Sequence, residues 1–181
     1  MVIIIDKFRA LPNAVKGILF FVLLTRMTYF MVWPFIAIIL SSEYNLSPVE
    51  VGLMMTASAY ISFMVGVYGG VLSDIYQRRI VIVIGCLIAV SAYATLGFAS
   101  DPVTFSLGLV LVGISYSFID APSKAIGSDL LEGTDLREFS LQARYFFVNI
   151  AAVSGPLIGL MAGLNAQKFT FYVTAISYIP F

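Results

Sequence analysis

The stretch VGLMMTASAYISFMVGVYGGVL (residues 51–72), SDIYQRR (73–79) and IVIVIGCLIAVSAYATLGF (80–98) decides the fold. Two apolar runs of about 20 residues flank a short polar segment, and a helix rising ~1.5 Å per residue needs about that length to cross a hydrocarbon core ~30 Å thick. The segment is therefore a hairpin of two membrane-crossing helices. Working outward, the same pattern recurs at about Val15–Leu40, Val103–Ser123 and Tyr145–Leu164. A sixth run begins at Phe169 and reaches the last residue, Phe181, too soon to span. The expectation is an all-α, polytopic bundle, a single unit over residues 1–181 with five complete transmembrane helices and a partial sixth.

Composition agrees. Of 181 residues, 60% are hydrophobic and 11% charged, where a soluble domain carries about 25% charged residues. Histidine is absent and there is one cysteine, Cys86. Imidazole general bases, histidine metal sites and internal disulfides are thus excluded, and no nucleophile–base pair or phosphate loop is visible. Catalytic residues, a cofactor site and a metal site are not expected. Ten basic residues balance ten acidic ones, so no basic face is left for a nucleic acid.

Orientation follows from the loops. Lys7, Arg9, Lys16, Arg78, Arg79, Lys124, Arg137 and Arg144 fall on one side of the membrane and Lys168 on the other, which places the N-terminus in the cytoplasm of a multi-pass cell-membrane protein. The opening MVIII followed by Asp6 lacks the basic flank and cleavage site of a signal peptide. Ser47-Pro48 and Asp101-Pro102 read as helix caps followed by a proline in the first turn. The segment 124–144 is the longest polar one and is expected to include a short surface helix.

Small residues recur at four-residue spacing in two runs: Ser58, Ser62, Gly66 and Gly70, then Ala151, Gly155, Gly159 and Gly163. Such stripes let helix backbones approach in lipid, where little else drives association. Arg26 lies about ten residues into the first span, with Tyr29, Phe30 and Trp33 on the same helix face and Pro34 set to bend the helix above them. An intramembrane arginine among aromatics suits either a wall for an organic ligand or a structural ion pair. Asp120, with Tyr116 and Lys124 one turn to either side, reads either as a titrating carboxylate or as a fixed partner of Lys124 or of an arginine on a neighbouring helix. Trp33, Tyr60, Met64 and Tyr116 suit a loosely specific apolar pocket.

The hairpin turn Gly70-Val-Leu72-Ser-Asp74-Ile-Tyr-Gln-Arg78-Arg79 resembles the loop signature of the major facilitator superfamily, Gly-x-Leu-Ala-Asp-Arg-x-Gly-Arg-Lys, between the second and third helices. It departs at Ile75 and Gln77. The resemblance implies a charge cluster at the cytoplasmic mouth that holds two helix groups in one state, with Gly70, Asp74, Arg78 and Arg79 as members and Asp120 as the acid from the fourth helix. Ala151-Ala-Val-Ser-Gly155-Pro156-Leu-Ile-Gly159 is similar to the packing motif of the drug:proton antiporter branch. The run Gly113–Pro122, followed by Asp129, Arg137, Arg144 and Asn149, also resembles that branch, but Leu109 stands where a membrane arginine is usual, leaving Arg26 to supply positive charge from another helix.

The resemblance implies the N-terminal six-helix half of a transporter, to be completed by a C-terminal half. It implies proton-coupled export of small organic or drug-like compounds, with the proton gradient as energy source and membrane lipid and a small-molecule substrate as partners; Arg26, Tyr29, Trp33, Tyr116 and Asp120 are the candidate substrate or coupling residues from the reading of the spans themselves. The alternatives are a truncated, non-transporting remnant and a symporter of small metabolites.

Overall fold

A computed structural model describes residues 2–162 and 167–179. Among these there is no strand, and the helices follow one another as α1 (Val2–Ala10), α2 (Asn13–Val32), a 3-10 turn (Trp33–Phe35), α3 (Ile36–Tyr44), α4 (Pro48–Ile75), α5 (Arg78–Phe98), α6 (Pro102–Asp129), α7 (Leu136–Met161) and α8 (Phe169–Ser177). Among the described residues five passages are long and apolar enough to cross a membrane: Asn13–Tyr44, Pro48–Ile75, Arg78–Phe98, Pro102–Asp129 and Leu136–Met161. Many of their apolar side chains face outward, among them Val67, Leu87, Val153 and Leu157. Water is a poor solvent for such continuous apolar faces, and lipid is a good one.

Each passage starts where the local chemistry allows it. Ser47 caps α4 through a reciprocal pair, its hydroxyl accepting from the Glu50 amide while its own amide donates to the Glu50 carboxylate at 2.8 Å. Asp101 caps α6 by accepting from the Thr104 amide at 2.9 Å and the Thr104 hydroxyl at 2.6 Å. Pro48 and Pro102 occupy the first turns, where a missing N–H costs nothing. Asn45, in the left-handed region at φ 52°, ends α3. Pro34 cannot donate an amide, and the first passage tightens there into the 3-10 turn.

The hydrogen bonds from Thr104 hold the Asp101 carboxyl below its ordinary value. A depressed carboxyl contributes stability that is present above its unfolded value and is lost as pH falls through the folded one. Exchange of the Thr104 amide, corrected for its intrinsic rate, should therefore quicken only below the usual carboxylate range, and Asp101→Ala should show the quickened rate at every pH. Exchange at the wild-type rate in that variant would remove the cap.

The polar segment after Ser123 contains no separate surface helix. Ser123-Lys-Ala-Ile-Gly-Ser128 offers no breaker strong enough to stop α6, which continues to Asp129, and α7 begins at Leu136. The turn between them uses i→i+3 bonds from Leu131, Glu132 and Thr134, with Gly133 at φ 74°. The helices thus extend past the expected apolar limits. Hydropathy marks the thickness of the hydrocarbon, whereas polar residues continue a helix into the headgroup layer.

Packing divides the bundle into two groups. α6 packs on both α4 and α5, α2 packs on α7, and α8 bridges α5 and α2; direct packing of α6 on α2 and α7 is thin. The α4–α6 seam uses Ser58, Ser62, Gly66, Gly69 and Ser73, all buried. A Cβ on Gly69 would lie 2.8 Å from the Phe118 ring, and one on Gly66 would collide with Ser117. Gly70 does not belong to this seam, and a Cβ there meets nothing within 4 Å. At about 100° per residue, three steps of four rotate Gly70 about 120° away from Ser58, whereas Gly69 lies within about 20°. The second stripe faces α2, not the first stripe. A Cβ on Gly155 would lie 2.6 Å from the Met27 carbonyl oxygen, and one on Gly159 would rest 3.6 Å from that of Met31. Gly163 and the end of the expected fifth span lie outside the described residues, as do residues 180 and 181 of the sixth.

At the end of the bundle bearing the turns 45–47 and 99–101, Lys168 donates at 2.8 Å both to Glu43 and to the Ala99 carbonyl. The Tyr44 hydroxyl donates to the same carbonyl at 3.0 Å. At the opposite end, Leu11, Val15, Leu19 and Leu131 form a small apolar core beneath the N-terminal helix.

Candidate functional site

Between the α2–α7 and α4–α6 pairs opens a cavity of about 890 Å³. Arg26, Tyr29 and Phe30 line it from α2, Trp33 from the 3-10 turn that follows, and Met55, Ser58, Ser62 and Phe63 from α4. α6 contributes Leu109, Gly113, Tyr116, Asp120 and Lys124, and α7 contributes Arg144, Tyr145 and Val148. The aromatic face anticipated on α2 is present. Trp33 stacks on Tyr29 with centroids 5.2 Å apart, and Phe30 meets Tyr29 edge-on. Tyr60 and Met64 lie outside this cavity, exposed on α4, where the helix turns Phe63 and Met55 inward instead.

At the cavity floor three cations converge on one carboxylate. Asp120 Oδ1 accepts from Arg144 at 2.8 Å and from Arg26 at 3.3 Å, while Oδ2 accepts from Lys124 at 2.7 Å. Arg144 donates also to the Ser123 hydroxyl at 3.1 Å. The Arg26 guanidinium lies 4.0 Å from the Tyr116 ring centroid, a cation–π distance. The side chains of Asp120 and Arg26 are each 14% exposed and that of Arg144 is 6% exposed. Charges this shielded are tolerable only because they meet each other. The cluster also ties the two helix groups together, since Arg26 and Arg144 reach across to α6 from α2 and α7.

The charged mouth has a different membership from the one expected. Arg78 pairs with Asp129, not with Asp120. Because α6 continues to Asp129, Asp120 lies nine residues back, about 13 Å deeper along the axis at ~1.5 Å per residue. Asp74 is exposed and makes no ion pair among the described residues, and the same holds for Arg79. Asp74 belongs to the end of α4 and Arg78 to the start of α5, so the break at Tyr76–Gln77 removes the i, i+4 relation between them. Gly155 and Gly159 sit on α7 along its contact with α2, Pro156 lies inside the same helix, and none of the three lines the cavity.

Arg144 is the residue that sequence reasoning left in a polar connection, as one of the basic loop residues. It lies two turns inside α7. The signal was present in its spacing: seven residues before Ala151 and eleven before Gly155, it shares their helix face.

Membrane-length helices around an open cavity, with a buried ionic cluster on the cavity floor, define a multi-pass membrane protein. Residues 18–181 match the Major Facilitator Superfamily, and the chain belongs to that family of transporters. It is 32% identical over 154 residues to the uncharacterized MFS-type transporter YqjV of Bacillus subtilis (strain 168), covering 84% of this chain and 37% of that protein. The multidrug resistance protein MdtH of Shigella dysenteriae serotype 1 is 27% identical over 149 residues, covering 82% of this chain and 36% of MdtH. MdtH of Escherichia coli O9:H4 is 24% identical over the same length. The chain thus spans little more than a third of the length of the curated relatives it matches. Members of the superfamily are generally carriers rather than enzymes.

Proposed function

We propose that this chain supplies one wall of the substrate path in a proton-coupled exporter of small organic compounds that works by alternating access, with a second six-helix half as the opposite wall. The carrying observation is the cavity of about 890 Å³ with its aromatic side and its ionic floor, a size and chemistry suited to a drug-sized guest. The likeness to multidrug resistance proteins supports export as the direction. The loop charges support a cytoplasmic N-terminus in the cell membrane, with lipid against the outward apolar faces.

Arg26, Tyr29, Trp33 and Tyr116 are the substrate-facing residues in this reading, and Asp120 is the coupling carboxylate. Movement of the α2–α7 pair relative to α4–α6 would draw Arg26 and Arg144 away from Asp120 and leave it with Lys124. Proton binding to the bared carboxylate is then the coupling step. The pairing of Arg78 with Asp129 fastens α5 to α6 at the mouth, so these two helices move as one body.

The test is dye flux into inverted proteoliposomes of the full-length protein, using cationic, neutral and anionic fluorescent dyes with and without a pH gradient. Gradient-dependent accumulation of at least one dye is expected, and Asp120→Asn, which keeps the side-chain shape, should abolish the dependence. Equal gradient-dependent flux in both proteins removes Asp120 from coupling. Absence of gradient-dependent flux for every dye overturns the transport reading.

A further inference from the structure

The cavity's charge does not balance. Among its lining residues Arg26, Lys124 and Arg144 are cations, and Asp120 is the one acid, leaving an excess of two positive charges at membrane depth. Of the other acids near this end, Asp129 pairs with Arg78 and Glu138 accepts from Gln142, and none lines the cavity. Hydrogen bonding is also incomplete. A guanidinium carries five N–H donors, and Arg26 makes one long hydrogen bond, at 3.3 Å, among the described residues. Lys124 has three donors and one carboxylate partner, and it is the most exposed of the three cations. Uncompensated charge in a membrane interior is costly, and a guest that brings the missing counter-charge gains what the protein lacks.

From this imbalance, and resting on the reading of the cavity as a substrate site, we infer that the site selects organic anions. The favoured guest joins an oxyanion group, such as a carboxylate or phosphate, to an aromatic or apolar body. The oxyanion docks on Arg26 and Lys124, and the body lies along Trp33, Tyr29 and Tyr116. An arginine fork matches the planar or tetrahedral oxygens of such a group, and the stacked Tyr29–Trp33 pair offers a flat surface beside it. An organic cation would meet the same rings but be repelled from the floor.

The test is equilibrium binding to the detergent-solubilised full-length protein, followed by calorimetry. Three probes share one body: 4-biphenylcarboxylate, 4-biphenylmethanol and 4-biphenylmethylammonium. The carboxylate is expected to bind about tenfold more tightly than the alcohol, with the ammonium weakest. Arg26→Gln should remove most of that advantage, read as the ratio of carboxylate to alcohol affinity within each variant, and Arg26→Lys should keep part of it. Alcohol binding in each variant reports that the cavity is still formed. If the alcohol and the ammonium bind as well as the carboxylate, the selection for anions is wrong and the cavity remains a site for organic compounds. If none of the three binds, the cavity is not a substrate site, and both readings fall.

Discussion

Asp120→Ala is expected to destabilise the bundle by about 3–5 kcal/mol, the range for breaking a buried ion pair by removal of one partner. One carboxylate serves Arg26, Arg144 and Lys124, so its loss strands three cations rather than one. Lys124, at 39% exposure, can turn to solvent and contributes little to the cost. Arg144 cannot, because its side chain is 6% exposed between α6 and α7. The deficit should therefore be largely a penalty of leaving Arg144 unpaired, and the double variant Asp120→Ala with Arg144→Met should recover part of it. Reversible unfolding in mixed detergent micelles measures both. An unchanged midpoint for the single variant, or a double variant no better than the single, would contradict the assignment of Asp120 as the shared counter-ion.

The second large effect is steric. Gly155→Ala is expected to cost at least the ~1–3 kcal/mol of an overpacked core, because the added methyl meets backbone and not a side chain that can swing aside. It would lie 2.6 Å from the Met27 carbonyl oxygen, 2.9 Å from Phe30 Cβ and 3.2 Å from the Met31 amide nitrogen. Relief requires α2 to move off α7, and α2 carries Arg26 and the aromatic wall. Gly159→Ala, one turn along the same face, is the control. Its methyl would find its nearest neighbour at 3.6 Å, an ordinary contact, so the variant should be neutral or gain up to about 1 kcal/mol of helix propensity. Equal unfolding midpoints for the two variants would show that α2 and α7 do not meet at Gly155.

The contrast between these two glycines marks what the sequence makes legible. Apolar length, the caps at Ser47 and Asp101, the 3-10 break at Pro34 and the aromatic run after Arg26 are local, and each is readable from neighbours a few residues apart. Which cation meets which carboxylate depends on helix rotation and on where each helix ends. Neither is local. Assigning the acid of the mouth to Asp120 rested on ending α6 at the last apolar residue, and six further helical residues place Asp129 beside Arg78 instead. Arg144 was obscured for the same reason, since an apolar count starts the fifth span one residue after it, whereas α7 begins eight residues before it. Gly70 was favoured over Gly69 because a strict four-residue stripe ignores the drift of a 3.6-residue turn.

The 3-10 turn at Trp33–Phe35 gives the first crossing two unequal segments. A helix yields most readily where its ladder of backbone bonds is interrupted. Below the turn α2 is clamped along α7, while above it the short α3 is held through Tyr44 and the carbonyl of Ala99. A push on the outer segment is accordingly absorbed as flexing at Pro34, and the first side chain to feel it is the indole of Trp33. Trp33 is the first residue of that turn and also lines the cavity, so a change of angle at the turn would shift the cavity's aromatic wall.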